Sequence, residues 1–240
     1  MNLPAVAALL AITFAPLAAS ADEVEAQVPG RFARFARQIW NDRTPPQRTA
    51  VIASPDGRKA ILIGAPRKAG GEARHDVRVR VGQAEHPTEI GSWADAEAAW
   101  APDSKAFFVT YSDAGDDGTF HVVVVQVGAG GLRVTEPVPD GRALFRPACA
   151  QPELLNVAAV GWPGRDASRL VVAVIVPPGS TCAGQRTFRA FELRQPGARV
   201  MARTDQLQAK REYGVLMGSE LLQAPDACVT NPSTCPAAKR

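Results

Sequence analysis

Residues 50–64 read AVIASPDGRKAILIG, and residues 98–112 read AAWAPDSKAFFVTYS. In both stretches an apolar run is followed by Pro-Asp and a small residue, then by a basic residue and a second apolar run. Proline fixes φ at the second position of a tight turn, while Asp with Gly or Ser supplies the local hydrogen bonds and dihedral angles that the turn needs. Each stretch therefore predicts a β-hairpin, and the hairpin occurs at least twice.

The hairpins belong to a longer repeat. Pro55 and Pro102 are 47 residues apart, and the segments HDVRVRVG (75–82) and HVVVVQVG (121–128) are 46 residues apart. Each unit contains the hairpin, a variable loop, a third strand of alternating polarity and a weaker fourth segment. This order of strand and turn signals predicts one small four-stranded antiparallel sheet per unit.

A third, longer copy follows at residues 157–176, VAAVGWPGRDASRLVVAVIV. Trp162 stands in the place of Trp100, and Ser168-Arg169 stands where the second copy has Ser104-Lys105. The interval between the two tryptophans is 62 residues, so this copy has longer loops. The units are predicted at about residues 48–92, 93–140 and 150–203, which makes the fold mainly all-β.

The phrases SPDGRKAIL and WAPDSKAFFV resemble the repeat of TolB-type β-propellers, the WD40-like (PD40) family of exported bacterial proteins. The resemblance covers about residues 48–203. It implies four-stranded blades that serve as a binding scaffold around a central channel. Because a closed propeller usually has four or more blades, three repeats predict a partial or small propeller. A fourth blade built from both chain ends, an open array and assembly with other chains remain alternatives.

Short helices are expected on both sides of the repeats. Residues 31–40, RFARFARQIW, have apolar side chains at helical spacing within the leader 22–47 and predict an amphipathic helix. We expect it to pack on the repeat domain, and a membrane-surface or partner-binding helix is the alternative. A second helix is predicted in the first half of 204–222, with Thr204 as N-cap, while YGVLMG could equally form an edge strand, and a polar tail extends to residue 240.

The first 21 residues have the features of a signal peptide. They carry no charged side chain and end in Ala19-Ser20-Ala21, a small-x-small pattern of the kind that signal peptidase cleaves. An uncleaved membrane anchor is the alternative. No later apolar run has spanning length, so we expect a periplasmic or secreted protein without a membrane span after cleavage. The net charge of +3 is too small to indicate a nucleic-acid partner.

Four cysteines are compatible with export to an oxidising compartment. Cys228 and Cys235 flank a turn-prone segment, so we pair them, which leaves Cys149 with Cys182. A zinc site is the alternative, but this spacing without a nearby histidine would be unusual for zinc.

No catalytic group is evident in the sequence. The chain has no G-x-S-x-G elbow and no H-E-x-x-H motif, and it contains three histidines. His75 and His121 recur at equivalent repeat positions, where a role at the start of a strand is simpler than catalysis. We therefore predict no catalytic residues, and the sequence favours a non-enzymatic protein.

Two weak binding sites are predicted in the loops. Asp113, Asp116 and Asp117 offer three carboxylates that would suit Ca²⁺, although a solvated hairpin loop explains the same residues. No other cofactor is expected. Trp93, Tyr111 and Asp113 are candidates for contact with a glycan or a small ligand. Trp100 and Trp162, by contrast, recur just before the hairpin turn and are expected to pack between blades.

The function expected from these features is that of an exported, non-catalytic scaffold that binds a protein or a component of the cell envelope. A glycan-binding or small-ligand-binding module is the alternative. A hydrolase with a site assembled from loops is a third hypothesis. In each case the site is expected in the loops that differ between copies, at 65–75, 112–119 and 177–187.

Overall fold

The computed structural model describes residues 23–38, 48–64, 67–69, 72–92, 95–112, 119–146, 155–180 and 186–225. These residues form a mainly β protein with several antiparallel sheets, as the sequence predicts. The strands are β1 (Glu23–Glu25), β2 (Arg37–Gln38), β3 (Thr49–Ala53), β4 (Lys59–Ile63), β5 (Arg67–Ala69), β6 (Glu72–Val81), β7 (Ala84–Ser92), β8 (Ala96–Trp100), β9 (Ala106–Ser112), β10 (Phe120–Gly128), β11 (Gly131–Thr135), β12 (Asn156–Gly161), β13 (Arg169–Ile175), β14 (Phe188–Arg194) and β15 (Arg199–Thr204). The α-helices are α1 (Gln206–Tyr213) and α2 (Ser219–Gln223), and a 3₁₀ turn spans Gly141–Ala143.

Each repeat forms one antiparallel sheet in which consecutive strands are neighbours. Sheet 1 contains β3, β4, β6 and β7, sheet 2 contains β8 to β11, and sheet 3 contains β12 to β15. Strand β5 pairs antiparallel with the first residues of β6. Strands β1 and β2 belong to the segment that precedes the repeats. Four antiparallel strands of each repeat are thus found in one sheet, and the first two sheets hold additional strands, so that the sheets have six, five and four strands.

The hairpin turns form through the same local bond in every copy. In each repeat the turn aspartate accepts the N–H of the residue two positions later, which is the Asx-turn geometry. The bonds are Asp56 to Arg58 (3.0 Å), Asp103 to Lys105 (3.1 Å) and Asp166 to Ser168 (2.9 Å). Because donor and acceptor are two residues apart, the sequence alone predicts these turns.

The sheets stack with apolar faces in contact. One core lies between sheets 1 and 2 and includes Ile61, Val79 and Phe107, and a second lies between sheets 2 and 3 and includes Phe108 and Val172. A third core joins sheet 3 to the two helices. Alternate residues of β9, such as Phe107 and Phe108, enter different cores because successive side chains in a strand point to opposite faces.

The recurring tryptophans lie between sheets, as predicted. The indole N–H of Trp100 donates to the carbonyl oxygen of Ile52 at 2.9 Å, which ties sheet 2 to sheet 1. Trp162 packs near Phe108 with 6.1 Å between the ring centroids. Its buried indole nitrogen has no hydrogen-bond partner among the described residues. The two positions are equivalent in packing but differ in hydrogen bonding.

Equivalent strands of the three sheets run in the same direction, so the hairpin turns of all three lie at one end of the stack. At one end the hairpin turns are bonded to each other: Asp56 N–H donates to Ser104 Oγ at 3.0 Å, and Ala167 N–H donates to Asp103 Oδ2 at 3.2 Å. We call this the Pro-Asp end. At the opposite end lie the strand ends that lead into the predicted loops 65–75, 112–119 and 177–187, and we call it the variable-loop end.

The segment Glu23–Gln38 crosses the stack and corrects a prediction. Its strand β1 pairs in parallel with β3, and its strand β2 pairs with β8. The helix predicted over 31–40 is wrong for the described residues 31–38, which form turns, an isolated bridge and β2. The reason is tertiary: backbone groups that a helix would pair internally bond instead to Glu97 and to the chain around Met217.

The C-terminal helix is confirmed with a changed start. Asp205, not Thr204, is the N-cap of α1, and its side chain accepts the N–H of Gln208 at 2.9 Å. Thr204 ends β15, where its hydroxyl donates to the carbonyl of Ala190. The chain then turns through residues 214–216 before α2.

The two outer faces of the stack differ in chemistry. The outer face of sheet 1 carries ion pairs, in which Arg80 contacts Glu23 and Glu85 and Arg78 contacts Glu85. Leu62, opposite Arg78 in the register, is fully buried on this face. The corresponding face of sheet 3 is covered by the helices. The described residues therefore form a three-sheet array, and no closed propeller is seen among them.

Candidate functional site

A buried polar cluster lies where the N-terminal segment meets sheet 2. Glu97, on β8, is 3% exposed and lies in an otherwise apolar strand. Its carboxylate accepts the backbone N–H groups of Arg31, Phe32 (3.1 Å) and Ala33 (3.0 Å). One buried carboxylate thus satisfies three consecutive N–H groups that would otherwise be buried without acceptors.

The side chain of Arg31 completes the cluster. Its guanidinium pairs with Asp95, two residues before Glu97, and lies 3.8 Å from a carboxylate oxygen of Glu220. The same guanidinium lies over the rings of Phe32 (5.4 Å) and Phe120 (5.5 Å). Charge pairing and cation–π contact therefore hold one arginine between sheet 2 and α2.

Two glycines allow the backbones to approach this closely. A Cβ on Gly30 would lie 2.3 Å from the carbonyl oxygen of Ala33 and 2.8 Å from Oε2 of Glu97. A Cβ on Gly218 would lie 2.2 Å from the carbonyl oxygen of Arg31. Both contacts are shorter than any side chain tolerates, so glycine is required at each position for steric reasons.

Burial sets the protonation of Glu97. Removal from water raises the pKa of its carboxyl to about 7, and the three N–H bonds with the nearby charge of Arg31 lower it only in part. A raised pKa is a common mark of a catalytic acid. Here both oxygens are occupied by backbone donors and the group is sealed from solvent, so the carboxyl acts as a structural acceptor.

The hydrolase hypothesis gains no support from this pair. Hydrolysis of a glycosidic bond uses two carboxyl groups that face each other across an open cleft. Asp95 is paired with Arg31, and Glu97 is bonded to three N–H groups. The shallow pocket beside them is lined in part by Phe32, Thr110 and Phe120. The arrangement holds a segment of the chain in place.

Of the predicted ligand residues, only Tyr111 is described. It lies on β9 at the variable-loop end, opposite Ala96 on one side and His121 on the other. Its ring centroid is 5.9 Å from that of His121, and it is half-buried. Trp93 and Asp113 lie outside the described residues, as do Asp116 and Asp117, so the calcium prediction stays a prediction.

The backbone nevertheless brings the positions next to these residues together. Ser112, which precedes Asp113, donates its N–H to the carbonyl of Asp95 at 3.0 Å. Asp95 is two residues after Trp93. The loops that carry Trp93 and Asp113 therefore leave sheet 2 from adjacent strands at the end where Tyr111 lies.

Other predicted groups also fall outside the described residues. Residues 1–21, read as a signal peptide, and the disulfide candidates Cys149, Cys182, Cys228 and Cys235 are in this group. Within the described ranges, no cluster of three or more His, Cys, Asp or Glu side chains is arranged to hold a metal ion. None of the helices in those ranges has the length and apolar character needed to cross a membrane.

Comparison with protein-family models, with curated proteins and with solved structures finds no match for this chain. The resemblance to TolB-type repeats thus rests on the motifs alone.

Sequence reasoning missed the cluster around Arg31 and Glu97. The one local signal was a glutamate in the middle of the apolar strand AEAAW, since a buried charge requires partners. Its partners are 64 to 66 residues away, so their identity was not readable from the pattern.

Proposed function

We propose that this protein is an exported, non-catalytic scaffold, a partial propeller of three blades, that binds a protein or an envelope component through its variable-loop end. The observation that carries the proposal is the difference between the two ends of the stack. Equivalent loops of all three repeats, which differ in length and sequence, leave the sheets at the same end, whereas the hairpin turns at the other end are short and bonded to each other.

Variable loops at one end of a rigid framework are typical of binding scaffolds. Binding residues are concentrated in loops that a rigid framework positions. The framework is provided here by two continuous inter-sheet cores and by the N-terminal segment, which contacts sheets 1 and 2 and the chain before α2. Three loops that begin from such a framework would together form the binding surface.

Export is part of the proposal. It rests on the apolar, uncharged leader that ends at Ala21 and on four cysteines in the remaining chain. Disulfides between Cys149 and Cys182 and between Cys228 and Cys235 would fit a periplasmic or secreted location. The resemblance of the two Pro-Asp phrases to the repeats of exported propellers points the same way.

The test is a crosslinked pull-down from the cell envelope with loop variants. In one variant, residues 113–118 are replaced by a Gly-Ser linker of equal length. In the matched control, Ala129 and Gly130, in the β10–β11 turn at the Pro-Asp end, are replaced by Gly-Ser. We expect the first variant to lose a partner that the control retains.

Loss of the partner in both variants, or retention in both, would contradict the assignment of the variable-loop end. Circular dichroism and thermal unfolding of the variants check that the sheets remain folded.

A glycan or small-ligand module is the second candidate. Tyr111 favours it, because this half-buried aromatic lies at the variable-loop end where the strands lead toward Trp93 and Asp113. Aromatic side chains of this kind stack on sugar rings. Glycan-array binding that disappears in Tyr111→Ala, with no protein partner recovered, would favour this candidate over the first.

A further inference from the structure

A second group of exposed apolar side chains lies outside the strands of the repeats. Phe35 is 64% exposed and Val215 is 68% exposed, the two highest values among the large apolar residues described. Leu207 on α1 and Leu222 on α2 are about half exposed. These four residues come from the N-terminal segment and the helical end of the chain, and none belongs to a strand.

The backbone brings these residues together. The N–H of Arg34 donates to the carbonyl of Leu216 at 2.8 Å, so Phe35 and Val215 adjoin a bonded pair. Gly214, which precedes Val215, is close to Leu222, since a Cβ on that glycine would lie 4.0 Å from a methyl carbon of the leucine. The turns that carry Phe35 and Val215 are therefore adjacent, with α2 and its Leu222 beside them, and we call the surface of these three residues the turn patch.

The charge beside the turn patch has one sign on the N-terminal side. Residues 26–41 contain three arginines and no acidic residue. The guanidinium of Arg34 lies 5.9 Å from the ring centroid of Phe35. Within the described residues neither Arg34 nor Arg37 forms an ion pair, in contrast to Arg31. Exposed apolar groups thus stand beside arginines that pair with none of the carboxylates in the described part of the chain.

The shape favours a soft partner. Phe35 and Val215 lie on two adjacent turns and project from them, and the described pocket beside Arg31 and Phe120 does not include either residue. Projecting apolar side chains suit a partner that can deform around them. A lipid interface does so, and anionic headgroups attract neighbouring Arg side chains.

We propose that the turn patch docks the folded protein on an anionic lipid surface, with Phe35 and Val215 entering the interface and Arg34 and Arg37 facing the headgroups. This surface is distinct from the variable-loop end, and the inference does not depend on the proposed partner there. It concerns attachment to a membrane surface without a spanning segment.

The test measures vesicle flotation of the chain recovered after export. Vesicles of phosphatidylcholine mixed with phosphatidylglycerol are compared with vesicles of phosphatidylcholine alone. We expect binding to the anionic vesicles that weakens as salt is raised, and a loss of affinity of at least about tenfold in the double variant Phe35→Ser/Val215→Ser. Arg34→Gln/Arg37→Gln should lose a similar factor on anionic vesicles only.

A matched control keeps the experiment decisive. Val81→Ser/Val134→Ser removes two exposed valines from strands of sheets 1 and 2 and should bind as the parent does. Thermal unfolding checks that every variant is folded.

The proposal is overturned if the parent does not float with anionic vesicles, or if Phe35→Ser/Val215→Ser binds as well as the control. It is also overturned if the patch variants lose capture of a protein partner while vesicle binding is unchanged, because the patch would then be a protein interface.

Discussion

The carboxylate of Glu97 and the backbone of Arg31 are joined across 66 residues of sequence, and this contact fixes the N-terminal segment on sheet 2. The same carboxylate accepts the next two N–H groups of the segment, and the side chain of Arg31 is held by Asp95. The segment is thus an integral part of the array, placed between sheets 1 and 2 and the chain around Met217.

Glu97→Ala tests this connection through stability. The substitution leaves three buried N–H groups without an acceptor, and each buried donor left unsatisfied costs about 1–3 kcal/mol. We expect the free energy of unfolding in urea to fall by about 3 kcal/mol or more. Glu212→Ala, which removes an exposed carboxylate from α1, should change it by less than about 0.5 kcal/mol. Equal effects of the two substitutions would contradict the assigned role of Glu97.

The pH dependence of stability tests the burial of Glu97. Its pKa is raised from 4.5 to about 7, so the folded state binds a proton that the unfolded state has already released over this range. The associated stability is complete below about pH 4.5 and is lost as pH rises through 7, by about 3 kcal/mol in all. Relative to Glu97→Gln, the parent should therefore lose stability between about pH 5 and 7.5. If the urea midpoints of the parent and of Glu97→Gln changed in parallel over this interval, burial would not raise the pKa of Glu97.

Gly218→Ala tests the close approach of Gly218 to the backbone of Arg31. A Cβ at this position would lie 2.2 Å from the carbonyl oxygen of Arg31, so the backbone must shift. We expect the free energy of unfolding to fall by about 2–3 kcal/mol, as measured by thermal unfolding. Gly130→Ala is the matched control, because its Cβ would meet nothing within 4 Å. A melting temperature of Gly218→Ala equal to that of the control would be inconsistent with the contact.

The tryptophan pair tests the hydrogen bond between sheets 1 and 2. Trp100→Phe removes a bond to Ile52, whereas Trp162→Phe removes a buried N–H that has no described partner. Both changes delete the same atoms from similarly buried sites, so the loss of packing is comparable. We expect Trp100→Phe to be more destabilising by about 1–2 kcal/mol in urea unfolding. The opposite order would show that the bond to Ile52 does not stabilise the array.

The parts of the fold that were predictable are those set by local chemistry. Asp56, Asp103 and Asp166 each accept a hydrogen bond from the N–H two residues ahead, so the hairpins and their period could be predicted. The strands beside each turn could then be placed by their alternating polar and apolar residues. The third copy was recognisable because Trp162 and Ser168-Arg169 stand in the sequence positions of Trp100 and Ser104-Lys105.

What could not be predicted depends on distant partners. The spacing of Phe32, Phe35 and Ala36 is helical, but the carboxylate of Glu97 and the carbonyl of Leu216 take the N–H groups of this segment, and no local pattern encodes those acceptors. The exposure of Phe35 likewise follows from that tertiary course, since a helix would have buried it with Phe32.

The most direct measurement of the central claim is photocrosslinking from the two ends of sheet 2 in the exporting cell. A benzophenone amino acid replaces Gly115 in the loop at the variable-loop end, and in a second strain it replaces Gly130 in the turn at the Pro-Asp end. We predict a specific crosslinked species from position 115 that is absent from position 130. Crosslinks of equal pattern from both positions, or from position 130 alone, would contradict the account.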